Sequence, residues 1–222
     1  MREIVLDTET TGLDPADGHR VVEIACIELH NHLPTGKFFH RYVNPERAMT
    51  AEAEAVHGLG DDFLRRHQPF AAIAAEFVAF IGDAQLVAHN AGFDLAFVNA
   101  ELKRLDLPPF SGAVVDTLEI ARKRFPGASA SLDALCRRFA IDLSAREKHG
   151  AKLDCELLAK VYLELVGGRQ SALDLGATAT KAATRAASER PARAPRHYEA
   201  SADELARHAA LVAKLKAPIW QN

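Results

Sequence analysis

The order of hydrophobic patterns along the chain restricts the fold more than any other feature. Short apolar runs typical of strands occupy residues 3–7, 21–29 and 38–43, with only turn-forming residues between them. Beyond residue 50, strand-like runs at 86–88 and 113–115 alternate with segments of helical spacing. Three linked strands followed by alternating strands and helices predict an α/β domain whose mixed five-stranded sheet carries helices on both faces.

Turns and helices complete this predicted domain. Residues 14–18 and 31–36 are rich in turn formers and separate the first three strands. Apolar residues recur at helical spacing further on, and the pattern predicts helices over 70–81, about 93–105, 131–140 behind the N-cap Ser131, and 153–166. We expect the domain to end near Gly167 and Gly168, and therefore to span residues 1–168.

The remainder of the chain differs in composition. Residues 176–197 contain no large apolar side chain and are dominated by Ala, Thr, Ser, Pro and Arg, which predicts a flexible linker over 176–200. Ser201 and Glu204 then fit a capping box at the start of a helix, which Pro218 would stop. The only tryptophan, Trp220, lies in this last segment, residues 201–222.

Composition and charge exclude several classes of protein. The chain has 222 residues, 48% hydrophobic and 26% charged, and a net charge of −3, so no overall basic character indicates nucleic-acid binding. Its three cysteines show no metal-binding spacing and are expected to be reduced and mostly buried. No signal-peptide pattern and no apolar run of ~20 residues occurs. These features predict a cytoplasmic protein.

Two carboxylates stand at the end of the first strand. Asp7 and Glu9 point to the same side because side chains alternate along a strand, whereas Thr8 points to the other. Like charges so placed repel each other, and burial adds a desolvation cost, so a positive partner is expected between them. The alternative is a solvated strand end whose acids happen to be two residues apart.

Two further segments place acids near the same end of the sheet. Asp94, in HNAGFD, falls in the first turn of a helix after the fourth strand, where α/β sheets locate their sites; the alternative is a residue that only complements the helix dipole. His149 precedes Asp154 by five residues, about 140° apart on one helix. A shared site therefore requires His149 on the entering loop and Asp154 inside the helix, with Gly150 making the break.

DTETTG, HNAGFD and HGAKLD, in this order, resemble the three motifs of the DEDDh 3′→5′ exonucleases, a family with a ribonuclease H-like fold. The resemblance covers residues 1–168. It implies that Asp7, Glu9, Asp94 and Asp154 are the catalytic, metal-binding carboxylates and that His149 is the general base. Asp7 and Glu9 would also contact the substrate.

The implied cofactors are two Mg²⁺ or Mn²⁺ ions, which hard oxygen ligands favour. Two divalent ions ~4 Å apart activate water and neutralise the leaving oxygen in phosphodiester hydrolysis. The resemblance implies that Asp7 bridges both ions, that Glu9 and Asp154 complete one, and that Asp94 serves the other. An acidic chain could then bind a polyanion through its metals.

Weaker candidates surround these acids. By the same resemblance, Glu52 and His57 would contact the terminal nucleotide, although a surface acid and a helix-terminal histidine would look the same in the sequence. Thr10, Thr11 and Leu13 would line the pocket for the 3′-terminal base and sugar.

Segments outside the motifs narrow the resemblance to the proofreading subunits of bacterial replicative DNA polymerases. Residues 121–141 and 149–170 carry it within the domain. Residues 169–175 contain Gln170, Leu173 and Leu175, which resemble a sliding-clamp (beta) binding peptide, and Trp220 resembles an anchor for the polymerase (alpha) subunit.

The leading hypothesis is a nuclease that removes mispaired 3′-terminal nucleotides from the single-stranded end of DNA during replication. A small accessory subunit is a further candidate partner. One alternative is a free-standing exonuclease of the same family that acts on RNA or single-stranded DNA. Another is a structural subunit that bridges clamp and polymerase, against which the complete set of acids and histidine argues.

Overall fold

The structure is a computed structural model that describes residues 1–144, 146, 148–167 and 199–215. These belong to two compact units, residues 1–172 and 173–222, each of which is described by itself. In the part of the chain described, no helix has the length and apolar character needed to cross a bilayer.

The first unit is built on one mixed sheet. Its strands are β1 (Arg2–Thr10), β2 (Val21–His30), β3 (Leu33–Tyr42), β4 (Gln85–Ala88) and β5 (Val114–Asp116), in the spatial order β3-β2-β1-β4-β5. β1, β2 and β3 pair antiparallel, whereas β4 pairs parallel with β1 and β5. This confirms the predicted sheet and places β1 at its centre.

Helices cover both faces of this sheet, as predicted. They are α1 (Ala51–His57), α2 (Asp61–Leu64), α3 (Phe70–Ile81), α4 (Ala91–Arg104), α5 (Thr117–Arg124), α6 (Leu132–Arg138) and α7 (Ala151–Leu165). One core joins Ile4 and Leu6 of β1 to α3 and α4. The other joins Val5 of β1 to α5, α6 and α7, so alternate residues of β1 face different helices.

The turn before β3 is shorter than the sequence predicts. Residues 31–36 were expected to form a turn, but β3 begins at Leu33 and only Asn31 and His32 connect the strands. Both have positive φ, 50° and 68°, as a tight two-residue hairpin requires. Pro34 is tolerated inside the strand because β3 lies at the edge of the sheet.

The second unit contains α8 (Ala202–Val212). The Ser201 side chain accepts from the Glu204 backbone N–H while the Glu204 carboxylate accepts from the Ser201 backbone N–H, which is the predicted capping box.

Truncation of a buried side chain of α3 tests how much this helix contributes to the stability of the first unit. Phe77 is fully buried between Phe39 and Phe70, whereas its neighbour Val78 is 41% exposed. We expect Phe77→Ala to lower the free energy of unfolding by about 3–5 kcal/mol and Val78→Ala by less than ~1 kcal/mol, in urea denaturation. Equal losses would contradict this core assignment.

Candidate active site

The end of β1 brings the first two acids to the side of the sheet that α7 covers. Asp7 and Glu9 share the face of Val5, and Glu9 is buried. α7 supplies Asp154 in its first turn, also buried. The strand and the helix therefore bring acids that are far apart in sequence to one place.

Asp94 approaches β1 from the opposite face. Its Oδ1 accepts hydrogen bonds from the Thr8 backbone N–H at 2.9 Å and from Thr8 Oγ1 at 2.7 Å. The start of α4 is held in turn by Asp116, whose carboxylate accepts the backbone N–H groups of Asn90 and Ala91 at 3.1 Å. Asp94 is thus hydrogen-bonded to Thr8, the residue of β1 that lies between Asp7 and Glu9.

His149 lies on the loop before α7, as the five-residue spacing requires. Gly150 is the extended N-cap of α7 and separates His149 from the helix. The His149 side chain is 51% exposed, and its Nδ1 lies 3.5 Å from Asp154 Oδ2. The backbone N–H of His149 donates to the carbonyl of Val56 at 3.3 Å, which ties this loop to α1.

Three of these side chains form a possible metal site. Glu9, His149 and Asp154 each offer one ligand atom, and these three atoms lie within 4.8 Å of one another. The ligand atoms of Asp7 and Asp94 are not part of this set, although their charges act on the same cluster. The carboxylate oxygens of Glu9 and Asp154 fit a divalent cation such as Mg²⁺ or Mn²⁺.

Burial and mutual repulsion make the acids hard to ionise together. Burial, followed by the charges of Asp154, Glu23 and Asp94, raises the pKa of Glu9 to about 8. Burial and neighbouring carboxylates raise the pKa of Asp7 well above its usual range. Burial raises the pKa of Asp94 to about 7 against the opposing hydrogen bonds from Thr8. A cluster of this kind needs added positive charge at neutral pH.

Arg146 supplies part of that charge and was missed in the sequence. Its Nε donates to Asp154 Oδ1 at 2.7 Å, its Nη2 donates to Asp154 Oδ2 at 2.6 Å, and its Nη1 donates to Asp133. Nη2 also lies 3.0 Å from His149 Nδ1. No periodic pattern marks Arg146, and in the sequence it cannot be told from other loop cations such as Lys148.

A cavity of about 250 Å³ adjoins Glu9. Five of the predicted substrate-contacting residues line it: Glu9, Thr10, Leu13, Glu52 and His57. Thr11 does not. Its side chain is fully buried, and its Oγ1 is bonded to His19 Nδ1 and to the Arg20 backbone N–H, so Thr11 supports the loop from behind.

His57 is held neutral in this cavity. Its Nδ1 accepts from the backbone N–H of Leu59 at 3.0 Å, which leaves Nε2 to donate to the carbonyl of Thr10 at 3.3 Å. Burial lowers the pKa of His57. The ring therefore anchors α1 to the end of β1.

A larger cavity of about 690 Å³ lies on the other side of the acids. Its lining includes Asp7, Asp154, His149, Arg146, Arg122 and His89. The carboxylates thus border two cavities, one largely apolar and one with cationic side chains. The remaining predicted residues, Gln170, Leu173, Leu175 and Trp220, fall outside the described part of the chain.

Comparison with known proteins defines the class. The sequence model described as Exonuclease matches residues 4–162. The nuclease domain of 3′hExo, a DEDDh family member solved bound to rAMP, superposes with a TM-score of 0.63 at 19% identity, over 74% of this chain and 91% of that one. At that identity the likeness concerns the fold, and it agrees with the predicted ribonuclease H-like architecture.

Two curated relatives are more specific. The DNA polymerase III subunit epsilon of Rickettsia conorii is 52% identical over 179 residues, 79% of this chain and 78% of the relative. That of Escherichia coli K12 is 47% identical over 178 residues, 77% and 73% of the two chains. The chain belongs to the exonuclease family and, within it, to the DNA polymerase III epsilon subunits. This confirms the predicted proofreading 3′→5′ exonuclease, a divalent-metal-dependent class.

The raised pKa values predict an inverse pH dependence of stability without metal. Glu9 and Asp94 titrate at about 8 and 7 in the folded chain against ordinary values of 4.5 and 3.8. The folded chain binds more protons at these two groups in that window, so their contribution to stability is complete below about pH 4 and is lost as pH rises to about 8.

Thermal melting in EDTA between pH 5 and 8.5 checks this, with Glu9→Gln expected to flatten the decline. Glu52→Gln, which removes an exposed acid from the same cavity, is the matched control and should leave the decline unchanged. Identical pH profiles for wild type and Glu9→Gln would contradict the assignment.

Proposed function

We propose that this chain hydrolyses the terminal phosphodiester of single-stranded DNA 3′ ends during replication, with Asp7, Glu9, Asp94, Asp154 and His149 as its catalytic residues. The observation that carries the proposal is that the buried acids Glu9 and Asp154 converge on the partly exposed His149, while the charges of Asp7 and Asp94 act on the same cluster. Such a cluster costs stability and is suited to binding cations.

The carboxylates would hold two divalent ions, Mg²⁺ or Mn²⁺. When bound, such ions supply charge that acidifies a water and neutralises the phosphate and the leaving 3′-oxygen. Asp7, Glu9 and Asp154 share the α7 side of β1 and would hold these ions from there, whereas Thr8 orients Asp94 from the α4 side. Arg146 donates hydrogen bonds to both oxygens of Asp154. It would either orient this carboxylate toward a bound ion or release it when the ion binds.

His149 would take the proton from the attacking water. In the present arrangement its Nδ1 faces a guanidinium, which can only donate, so the neutral ring carries its proton on Nε2. His149 must therefore turn away from Arg146 before either nitrogen can act as a base. Its exposed position on the loop before α7 leaves room for that rotation.

The terminal nucleotide would occupy the 250 Å³ cavity beside Glu9. Thr10, Leu13, Glu52 and His57 line it, and its surface includes the apolar side chains of Val56 and Phe93. A base must be unpaired to enter such a pocket, and a mismatched end unpairs at lower cost. Selection for mispaired ends would then follow from how often an end frays.

The rest of the chain would connect this nuclease, residues 1–168, to a replication complex in the bacterial cytoplasm. Residues 169–175 would bind a sliding clamp (beta), and residues 201–222 would bind the polymerase (alpha) subunit, across a linker at 176–200. The capping box of α8 supports an independent helix at the far end. Two weak attachments on one chain raise the effective concentration of the nuclease near the primer end.

Substitution of the proposed base tests the chemistry. We expect His149→Gln to slow removal of 3′ nucleotides roughly 10²–10⁴-fold, the usual contribution of a general base, and Asp7→Ala to abolish it. The measurement is laddering of 5′-labelled single-stranded DNA, and of RNA in parallel, with Mg²⁺ or Mn²⁺ and with EDTA.

His30→Gln is the control because His30 is an exposed histidine of β2 with no contact to the acids. Laddering that persists in EDTA or in Asp7→Ala would refute the metal-dependent mechanism. Faster degradation of RNA than of DNA would favour the free-standing alternative.

The attachments are tested separately from the nuclease. Removal of residues 176–222, or Trp220→Ala in the full chain, should abolish co-purification with the polymerase subunit and leave laddering of free single-stranded DNA unchanged. Leu173→Ala combined with Leu175→Ala should instead weaken binding to the clamp. A deletion that removes nuclease activity together with polymerase binding would overturn the two-part organisation.

A further inference from the structure

A fifth carboxylate lies beside the proposed site. Glu23 of β2 is directly opposite Glu9 in the β1–β2 register, and its side chain is only 4% exposed. Its charge is one of those that raise the pKa values of Asp7 and Glu9. The negative charge of Glu23 adds to the repulsion among the acids of the site. The metal site therefore does not by itself explain why an acid lies here.

Both oxygens of Glu23 are engaged away from the possible metal site. Oε1 lies 2.6 Å from Nε2 of His40 on β3, and Oε2 accepts the backbone N–H of Ala151 at 3.1 Å. Glu23 is not among the residues whose ligand atoms converge on Asp154. It joins three elements: β3, β2 and the beginning of α7.

Ala151 is the first residue of α7, and the N-cap Gly150 makes no side-chain cap. The Glu23 carboxylate therefore caps α7 from a neighbouring strand, where negative charge also complements the helix dipole. The same helix start carries His149 two residues earlier and Asp154 three residues later. Fixing Ala151 to β2 fixes both side chains relative to Glu9 on the adjacent strand.

We propose that Glu23 and His40 are a positioning pair that sets the register of His149 and Asp154 against the acids of β1. His40 holds the carboxylate of Glu23 in place, and Glu23 holds the first turn of α7. This role rests on the proposed nuclease chemistry, since the geometry it fixes is that of the proposed base and one proposed metal ligand.

Two substitutions of Glu23 separate positioning from charge. Glu23→Gln and Glu23→Met both remove the negative charge at similar length, but only glutamine can still accept from the Ala151 N–H. We expect Glu23→Met to lower kcat on single-stranded DNA by about 10–100-fold, the usual cost of losing a partner of a metal-ligating group. KM should stay unchanged because the cavity beside Glu9 is intact, and Glu23→Gln should retain most of the activity.

Hydrogen exchange at the Ala151 amide, resolved by NMR on the full chain, gives a readout independent of catalysis. We expect faster exchange in Glu23→Met, and near wild-type exchange in Glu23→Gln. If the wild-type chain degrades no DNA, the proposed function fails, while exchange at Ala151 still decides whether the contact holds the helix start.

His40→Leu tests the other member of the pair. His67→Leu is its matched control, because His40 and His67 both pack on Tyr42, with ring centroids 4.9 and 5.3 Å away, but only His40 contacts Glu23. We expect His40→Leu to lower kcat and His67→Leu to leave it unchanged.

Three results would overturn the proposal. Equal kcat and equal Ala151 exchange in Glu23→Gln and Glu23→Met would assign any effect to charge alone. Equal kcat in His40→Leu and His67→Leu would assign it to packing around Tyr42. Wild-type kcat in Glu23→Met, with its melting temperature showing a folded chain, would remove the role altogether.

Discussion

The repulsion among the acids at the end of β1 is the constraint on which the rest of the first unit depends. Burial raises the pKa values of Glu9 and Asp94 to about 8 and 7, so their joint ionisation opposes folding at neutral pH. The surrounding fold must hold them together against that cost. Central β1, paired on both edges and covered on both faces, provides such a frame.

Two of the acids and the helix start that carries one of them are each held by a partner on another segment. Thr8 orients Asp94 across the sheet, Arg146 grips Asp154, and Glu23 fixes the start of α7. Oriented donors of this kind reduce what must be reorganised when cations and substrate bind. The arrangement also explains how a chain with a net charge of −3 can act on a polyanion, since the attraction is local and carried by bound cations.

The sequence was sufficient for the mixed sheet and the long helices, because these follow from the hydrophobic period. The proposed catalytic set came from the resemblance of three short motifs to those of a known family. The sequence was insufficient where long-range contacts decide. Glu23 looks like any residue of a strand, and Arg146 like any loop cation, until α7 packs beside them. α1 and α2 are too short to show a helical period. The composition of residues 31–36 predicted a longer turn than the two-residue one that Asn31 and His32 form with positive φ.

Calorimetric titration of the full chain with Mn²⁺ at pH 7, in buffers of different ionisation enthalpy, tests the central claim most directly. If the buried acids are held partly protonated until cations bind, binding must release protons, and the number released must fall as the pH is raised beyond about 8. The account predicts that result, with binding lost in Asp7→Ala. Binding without proton release, or no binding at all, would contradict it.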